Sequence, residues 1–447
     1  MNTNFGELSV GVDIGTTTIS TVVFDIGHKK PIEIHSVPHH SYICTDIYSE
    51  QNVFTILDQT EALLDQLTKR YPRIVSIGIT GQMHGIVYIN GNGEPISNLI
   101  NWQDKRADQE LENGKTGCQL IESVTGQRIS TGYGIATHFC NLRSHTVPNG
   151  AVGFCSIMDL FAMRICGLKK ALTHTSVAAS FGLFDVKEKC FMHEKLSLLG
   201  IEEGFLPEVT EQSRIIGSYK GIPVYVAIGD NQASVLGAVR DNASDILVNI
   251  GTGSQVSVVS DYFICSEETE VRPFIEGKYL VCGSALCGGF AYSMLEAFFR
   301  SFAESCGVDG ISIYEILNTL AELAYASEEE GLEVDVSFCG KRNDPLCRGS
   351  IQNIGRHNFT PSALALGVLR GMCNELYALY GTLPEGKSRI IASGGAVRKV
   401  GILRRLLEDR FGMPVSVNAV EEEAAVGAAL FSALALGKLE YDDGFRF

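Results

Sequence analysis

No run of about eighteen apolar residues occurs in the 447-residue chain, so no membrane-spanning helix is expected. Basic residues are scarce relative to acidic ones: 36 Lys and Arg stand against 52 Asp and Glu, a formal net charge of −16. Nucleic-acid binding rests on a basic face, and this balance argues against it. The thirteen cysteines include no Cys-x-x-Cys pair and their total is odd; Cys282 and Cys287 are the closest two, and no histidine cluster accompanies them. The expectation is reduced, mostly buried thiols in a cytoplasmic protein rather than a disulfide or zinc framework. The opening Met1-Asn-Thr-Asn-Phe-Gly-Glu7 lacks the basic and apolar regions of a signal peptide. Two common nucleotide signatures are missing as well. There is no Gly-x-x-x-x-Gly-Lys-Ser/Thr, which excludes a P-loop, and no Gly-x-Gly-x-x-Gly after a strand, which leaves a dinucleotide fold without support.

What the chain does have is a repeated hairpin. Val12-Asp-Ile-Gly-Thr16 returns as Val248-Asn-Ile-Gly-Thr252, and Val22-Val23 returns as Val258-Val259 in the same alignment. Each copy reads as an apolar strand, a glycine-and-hydroxyl turn, then an alternating strand. Glycine at such a tip lets backbone N–H groups approach phosphate oxygens closely. A pair of these tips, at Thr16–Thr17 and Gly251–Thr252, could hold a polyphosphate between two domains.

Strand-like and helical patterns alternate elsewhere. Ile74–Ile79, Gly85–Ile89, Val224–Ile228, Ile246–Ile250 and Arg389–Ser393 read as strands. Asn52–Arg70, Gln232–Val239, a stretch near Leu403–Arg410 and Glu422–Leu436 read as helices. Pro361–Leu379 is a further helix, with Thr360 as N-cap and Pro361 in its first turn. The polar interruption Arg240-Asp-Asn-Ala-Ser-Asp245 sets a domain boundary near residue 240, giving α/β domains over 1–240 and 241–447. Two α/β halves that both begin with the same hairpin suggest duplication.

Two carboxylates carry the chemistry. Asp13 ends an apolar strand, where an ionised side chain is costly unless neutralised; hydrated Mg²⁺ is a natural partner, and a turn cap is the alternative. Asp230, in Gly229-Asp-Asn-Gln-Ala233, sits between a buried strand and a helix start. It is placed to accept the proton of an attacking hydroxyl, with helix capping as the alternative role. Thr80-Gly-Gln-Met-His-Gly85 links two strands with a loop rich in hydrogen-bonding groups. Trp102, the chain's one tryptophan, could stack on a sugar, but core is its favoured place. Ser393-Gly-Gly-Ala396 follows a strand, where backbone can lie flat on a nucleotide.

These residues resemble the FGGY carbohydrate kinases of the actin–hexokinase–heat-shock-chaperone ATPase superfamily, nearly end to end. The resemblance is carried by Gly11–Thr17, Gly81-Gln-Met-His-Gly85, Trp102-Gln-Asp-Lys-Arg106, Gly229–Ala233, Asn249–Thr252, Ser393–Ala396 and Ala424-Ala-Val-Gly-Ala-Ala429. Gln82-Met-His-Gly85 is similar to the xylulose-kinase sugar loop. Thr131-Gly-Tyr-Gly-Ile-Ala-Thr137, Cys166-Gly-Leu168 and Ala178-Ala-Ser-Phe-Gly182 look more like sedoheptulokinases. Gly340-Lys-Arg342, Pro345 and Arg348-Gly-Ser-Ile351 resemble the family's second conserved region. The chain is shorter than many members, and Arg398 and Lys399 stand just past the Gly-Gly-Ala turn.

The resemblance implies two ribonuclease-H-like domains with the active site in the cleft between them. It implies ATP and Mg²⁺ as cofactors, a small sugar as substrate, and no nucleic-acid or membrane partner; a homodimer stays open. It assigns Asp230 as base and Asp13 to magnesium through water. Thr16, Thr17, Gly251 and Thr252 would meet ATP phosphates, and Gly394, Gly395 and Ala396 adenosine. Met83, His84 and Asn231 would contact the sugar, with Asp104 from the Trp102–Arg106 motif beside them. The implied reaction is transfer of the γ-phosphoryl of ATP to the terminal primary hydroxyl of a ketose, sedoheptulose first and xylulose or another short ketose or polyol second. A non-catalytic ATPase or binding module on the same fold is the distant alternative.

Overall fold

The computed structural model describes residues 6–440 apart from 240, 265–268, 328–330, 342–343, 345, 419 and 421. Arg240 at the expected boundary, and Arg342 and Pro345 of the second conserved region, lie outside the described residues. Two compact units are present. The first comprises 1–240, 272–279 and 420–447; the second comprises 241–271 and 280–419.

The first unit is organised on β1 (Leu8–Ile14), β2 (Thr18–Asp25) and β3 (Lys30–Pro38), a meander of antiparallel neighbours. Helix α1 (Val53–Arg70) follows, capped by the Asn52 side chain, which accepts from the Thr55 amide. Its buried face of Ile56, Leu57, Leu64 and Leu67 is the apolar side legible in the sequence. Strand β4 (Ile74–Gly81) then joins β1 in parallel. After a long excursion come β5 (Ile215–Tyr219), β6 (Ile222–Tyr225) and helix α2 (Asp230–Ala238). The finished six-stranded sheet runs β5-β6-β4-β1-β2-β3.

The second unit opens with β7 (Asp245–Ile250) and β8 (Ser254–Ser260), an antiparallel hairpin, followed by β9 (Tyr279–Ala285). Helices α3 (Gly289–Ser305), α4 (Ile313–Ala326) and α5 (Pro361–Tyr380) come next. Thr360 caps α5 by accepting from the Ala363 amide, with Pro361 in the first turn. Then follow β10 (Arg389–Ser393), α6 (Gly401–Phe411) and β11 (Val415–Val417), both strands parallel to their neighbours. The second sheet also has six strands and contains the run β9-β8-β7-β10-β11. That run has the same order as β3-β2-β1-β4-β6 of the first sheet, with the hairpin antiparallel and the next two pairings parallel in both, so the duplication extends from the hairpins to the sheets. Among the described residues no helix is long and apolar enough to cross a membrane.

One expectation is corrected. The final helix α7 (Glu423–Ala435) does not fold with 241–419; it packs on β1, β4 and α2 of the first unit. Periodicity identified the helix, but its small-residue surface is what selects the partner. A Cβ on Gly11 would lie 1.8 Å from the Ala425 carbonyl oxygen, and one on Gly78 1.8 Å from that of Ala428. A Cβ on Gly427 would lie 1.7 Å from the Ala233 oxygen, and one on Gly237 2.0 Å from that of Glu423. Strands and helices therefore meet backbone to backbone, at a distance no side chain allows. Gly78→Ala should cost about 3 kcal/mol, read as a lower urea midpoint. Gly91→Ala, whose added carbon meets nothing within 4 Å, should be neutral. Equal midpoints for the two variants would remove close approach as the constraint.

Candidate active site

In the first unit the chemistry gathers where β1, β4 and α2 end or begin. Strand β1 is apolar up to Asp13, whose Oδ1 is buried with no hydrogen-bond partner. Burial first, then the neighbouring Asp230 and Glu422 carboxylates, push the Asp13 pKa up to about 8. Asp230 opens α2 behind Gly229, and its Oδ1 accepts from the Asn231 amide at 2.6 Å. Burial raises its pKa to about 6, with Arg272 holding it down against that trend. A carboxylate poised there is ionised near neutral pH yet basic enough to take a proton.

The loop after β4 lies against this helix start. Met83 is buried, and a Cβ on Gly229 would stand 2.5 Å from its sulfur. Glycine at 229 is thus what lets the Asp230 turn sit beside Met83. His84 takes a left-handed backbone, φ 73°, and stacks on Tyr133 with ring centroids 4.4 Å apart. Its Nδ1 donates to the Ser180 carbonyl at 2.8 Å, because a carbonyl can only accept; in the neutral ring this leaves Nε2 an acceptor. The His84 amide donates to Ser180 Oγ, and Ser176 Oγ accepts from the Gly229 amide at 3.1 Å. One short segment, 176–180, therefore braces both the His84 loop and the Asp230 turn. Asn231 is half-buried beside Asp230.

The β1–β2 tip is held from the same side. Gln82 and Gln51 amides donate to the Gly15 and Thr16 carbonyls, and Trp102 Nε1 donates to Thr16 Oγ1 at 3.0 Å. Trp102 is 45% exposed, so its expected place in the core is corrected: its indole N–H serves the tip and its face stays open. Asp104 is a second correction. It is fully buried, Oδ1 accepting from the Arg106 amide and Nε, and Oδ2 from the Ser49 amide and Arg106 Nη2. All its lone pairs are taken, so it shapes the loop instead of contacting a sugar. Motif membership alone could not distinguish these roles.

The second unit places its own tip against the Gly-Gly-Ala turn. The Gly288 and Gly289 amides donate to the Thr252 and Gly251 carbonyls at 3.0 and 2.8 Å. Gly394, φ 95°, lies so close under the strand that a Cβ would stand 2.5 Å from the Ile250 oxygen. Gly251, Thr252, Gly395 and Ala396 line a cavity of about 490 Å³ with Tyr292 and Leu369 among its walls; Gly394 lies beneath it, outside the lining. Its size and largely apolar walls suit a flat base and ribose. Lys399 is also in the lining, while Arg398 turns to the Asn418 carbonyl. Phe290, Tyr314 and Asn318 were not anticipated; the Gly288-Gly289 pair opening a helix after β9 was the available signal. Glu422 and Arg272 were missed because both stand far in sequence from the residues they meet.

Among the described residues no group of three or more His, Cys, Asp or Glu forms a ready-made metal cage. The orphaned Asp13 Oδ1, repelled by two carboxylates, nevertheless fits a cation that keeps its own waters. Without a cation, Asp13 binds its proton more tightly folded than unfolded, so stability falls as pH rises from 3.8 towards about 8. Asp13→Asn should flatten that fall and raise the melting temperature at the alkaline end, and abolish any Mg²⁺-dependent rise. Identical thermal profiles for variant and parent across this window would contradict the buried-charge account.

The N-terminal domain of the FGGY family of carbohydrate kinases matches residues 8–247, and its C-terminal domain matches residues 247–436. Sedoheptulokinase from Homo sapiens is 25% identical over 473 residues, covering 95% of this chain and 96% of the relative. A glycerol kinase from Saccharolobus islandicus is 26% identical over 467 residues, covering 98% and 90%. In fold the chain is similar to the crystal structure of xylulose kinase from Rhodospirillum rubrum, with TM-score 0.82 at 20% identity over 98% of this chain and 92% of that one. The two units are thus actin/hexokinase-like domains, and the chain belongs to the FGGY family of carbohydrate kinases as an ATP-dependent sugar kinase.

Proposed function

We propose that this kinase transfers the γ-phosphoryl of ATP to the terminal primary hydroxyl of a ketose, with sedoheptulose preferred. The observation that carries the mechanism is Asp230 at the start of α2, glycine-spaced against Met83 of the sugar loop. Asp230 accepts the hydroxyl proton as the oxygen forms its bond to the γ-phosphorus. The bond from that phosphorus to the bridging oxygen breaks, and ADP leaves with the oxygen. The proton on Asp230 then passes to solvent. Met83, His84 and Asn231 hold the sugar; the Thr16–Thr17 and Gly251–Thr252 tips meet phosphate oxygens, and Gly395 and Ala396 meet adenosine, with Gly394 turning the chain beneath them. Asp13 would hold magnesium, which would supply charge neutralisation for the transferring group.

Sedoheptulose is favoured by where the sedoheptulokinase-like sequence lies. Thr131-Gly-Tyr-Gly packs on the sugar loop: Tyr133 stacks on His84, and a Cβ on Gly132 would stand 2.0 Å from the Trp102 carbonyl oxygen. Xylulose is the second reading, on the strength of Gln82-Met-His-Gly85.

ADP release measured separately with sedoheptulose, xylulose, ribulose, fructose and glycerol should be largest for sedoheptulose. A xylulose preference keeps the mechanism and changes the substrate; release indifferent to sugar overturns the kinase reading for all of them. Asp230→Ala should lose roughly a thousandfold in turnover with ATP binding nearly intact. Unchanged turnover would remove Asp230 from the base role.

A further inference from the structure

The first hairpin tip is tethered in a way its sequence does not require. Gly15-Thr16-Thr17 already closes through the Gly15 amide donating to the Thr18 carbonyl at 2.9 Å. Two buried glutamines nevertheless reach it from elsewhere. Gln82, 3% exposed, donates from Nε2 to the Gly15 carbonyl at 3.2 Å and to Gln51 Oε1 at 2.8 Å. Gln51, fully buried, donates from Nε2 to the Thr16 carbonyl at 2.6 Å. The carbonyl acceptors fix which way both amides face. His39 Nε2 lies 3.3 Å from the same Gly15 oxygen. The arrangement is costly: Gln82 Oε1 is left buried with no partner.

A trans peptide points its carbonyl and the following N–H in opposite directions. Holding the Gly15 and Thr16 carbonyls towards the glutamines therefore turns the Thr16 and Thr17 N–H groups the other way, and Thr17 itself is exposed. Two neighbouring N–H groups so directed form an anion cradle. Gln82 also immediately precedes Met83 and His84, and its own amide donates to the Ile14 carbonyl at 2.8 Å.

We propose that Gln82 and Gln51 are positioning residues for phosphoryl transfer: a two-amide relay from the sugar loop that fixes the polarity of the phosphate-facing tip. The inference rests on the reading that this tip meets ATP phosphates. The relay makes tip geometry depend on the loop that seats the sugar.

The test uses the full-length enzyme with its best sugar. Gln82→Met and Gln51→Met keep volume and remove the donors. Each should lower kcat about tenfold or more, since small misplacement of reacting groups is that costly. Sugar affinity without nucleotide, by calorimetry, should stay within about threefold, which also certifies folding. Because the two residues act as one relay, the double variant should be no worse than the poorer single. Gln82→Glu, the same shape with an acceptor against a carbonyl, should reproduce the kcat loss if Gln82→Met does not fold. Thr17→Pro, which deletes one cradle N–H, should also lose kcat. Undiminished kcat in the glutamine variants, or losses that multiply, with Thr17→Pro impaired, overturns the relay alone. Full kcat in Thr17→Pro overturns the phosphate assignment of the tip on which the relay rests.

Discussion

Backbone-to-backbone contact at four glycines governs the position of the Asp13 and Asp230 carboxylates. Gly11 and Gly78 let α7 lie on β1 and β4, while Gly237 and Gly427 let α7 and α2 cross. Asp13 is two residues beyond Gly11 on β1, and Asp230 begins the helix that carries Gly237. Larger residues at the crossings would lift α2 and α7 from the sheet and admit water around both acids. The raised pKa values of Asp13 and Asp230, each dominated by burial, are consequences of that packing. Burial of charge destabilises the fold locally, and the close packing of apolar strands around it offsets the cost.

The duplicated hairpin is supported in two different ways. Both units carry a hairpin ending in a three-residue tip and the same strand order around it. In the first unit, side-chain amides and an indole hold the tip, and acids stand nearby. In the second, the work is done by glycine: Gly288 and Gly289 bond to the tip carbonyls, Gly394 slips beneath the strand, and an apolar cavity opens beside them.

Much of the fold could be read from the chain, because its signals were local. The hairpins declared themselves by alternation around a glycine-and-hydroxyl turn, and α1 and α5 by apolar periodicity with Asn52 and Thr360 as caps. Helix α7 was legible as a helix but not as part of the first unit, since periodicity gives a buried face and not the sheet it meets. The site was legible in part for the same reason. Strand-end and helix-start positions singled out Asp13 and Asp230. The roles of Asp104 and Trp102 depend on partners at a distance in sequence: Ser49 and Glu50 for the Asp104–Arg106 cluster, Thr16 for the indole. Gln51, Glu422 and Arg272 carry no local mark at all.

The central claim is that a half-buried carboxylate with a raised pKa takes the substrate's proton, and the pH dependence of kcat/KM for the sugar addresses it most directly. With Mg²⁺ saturating, the profile should rise as pH increases through about 6, the value to which burial pushes Asp230, and then level off. The apparent value belongs to the interacting acids jointly, so a moderate displacement by bound cation is consistent with the account. A profile flat from the ordinary carboxylate value of 3.8 up to neutrality and beyond would contradict it.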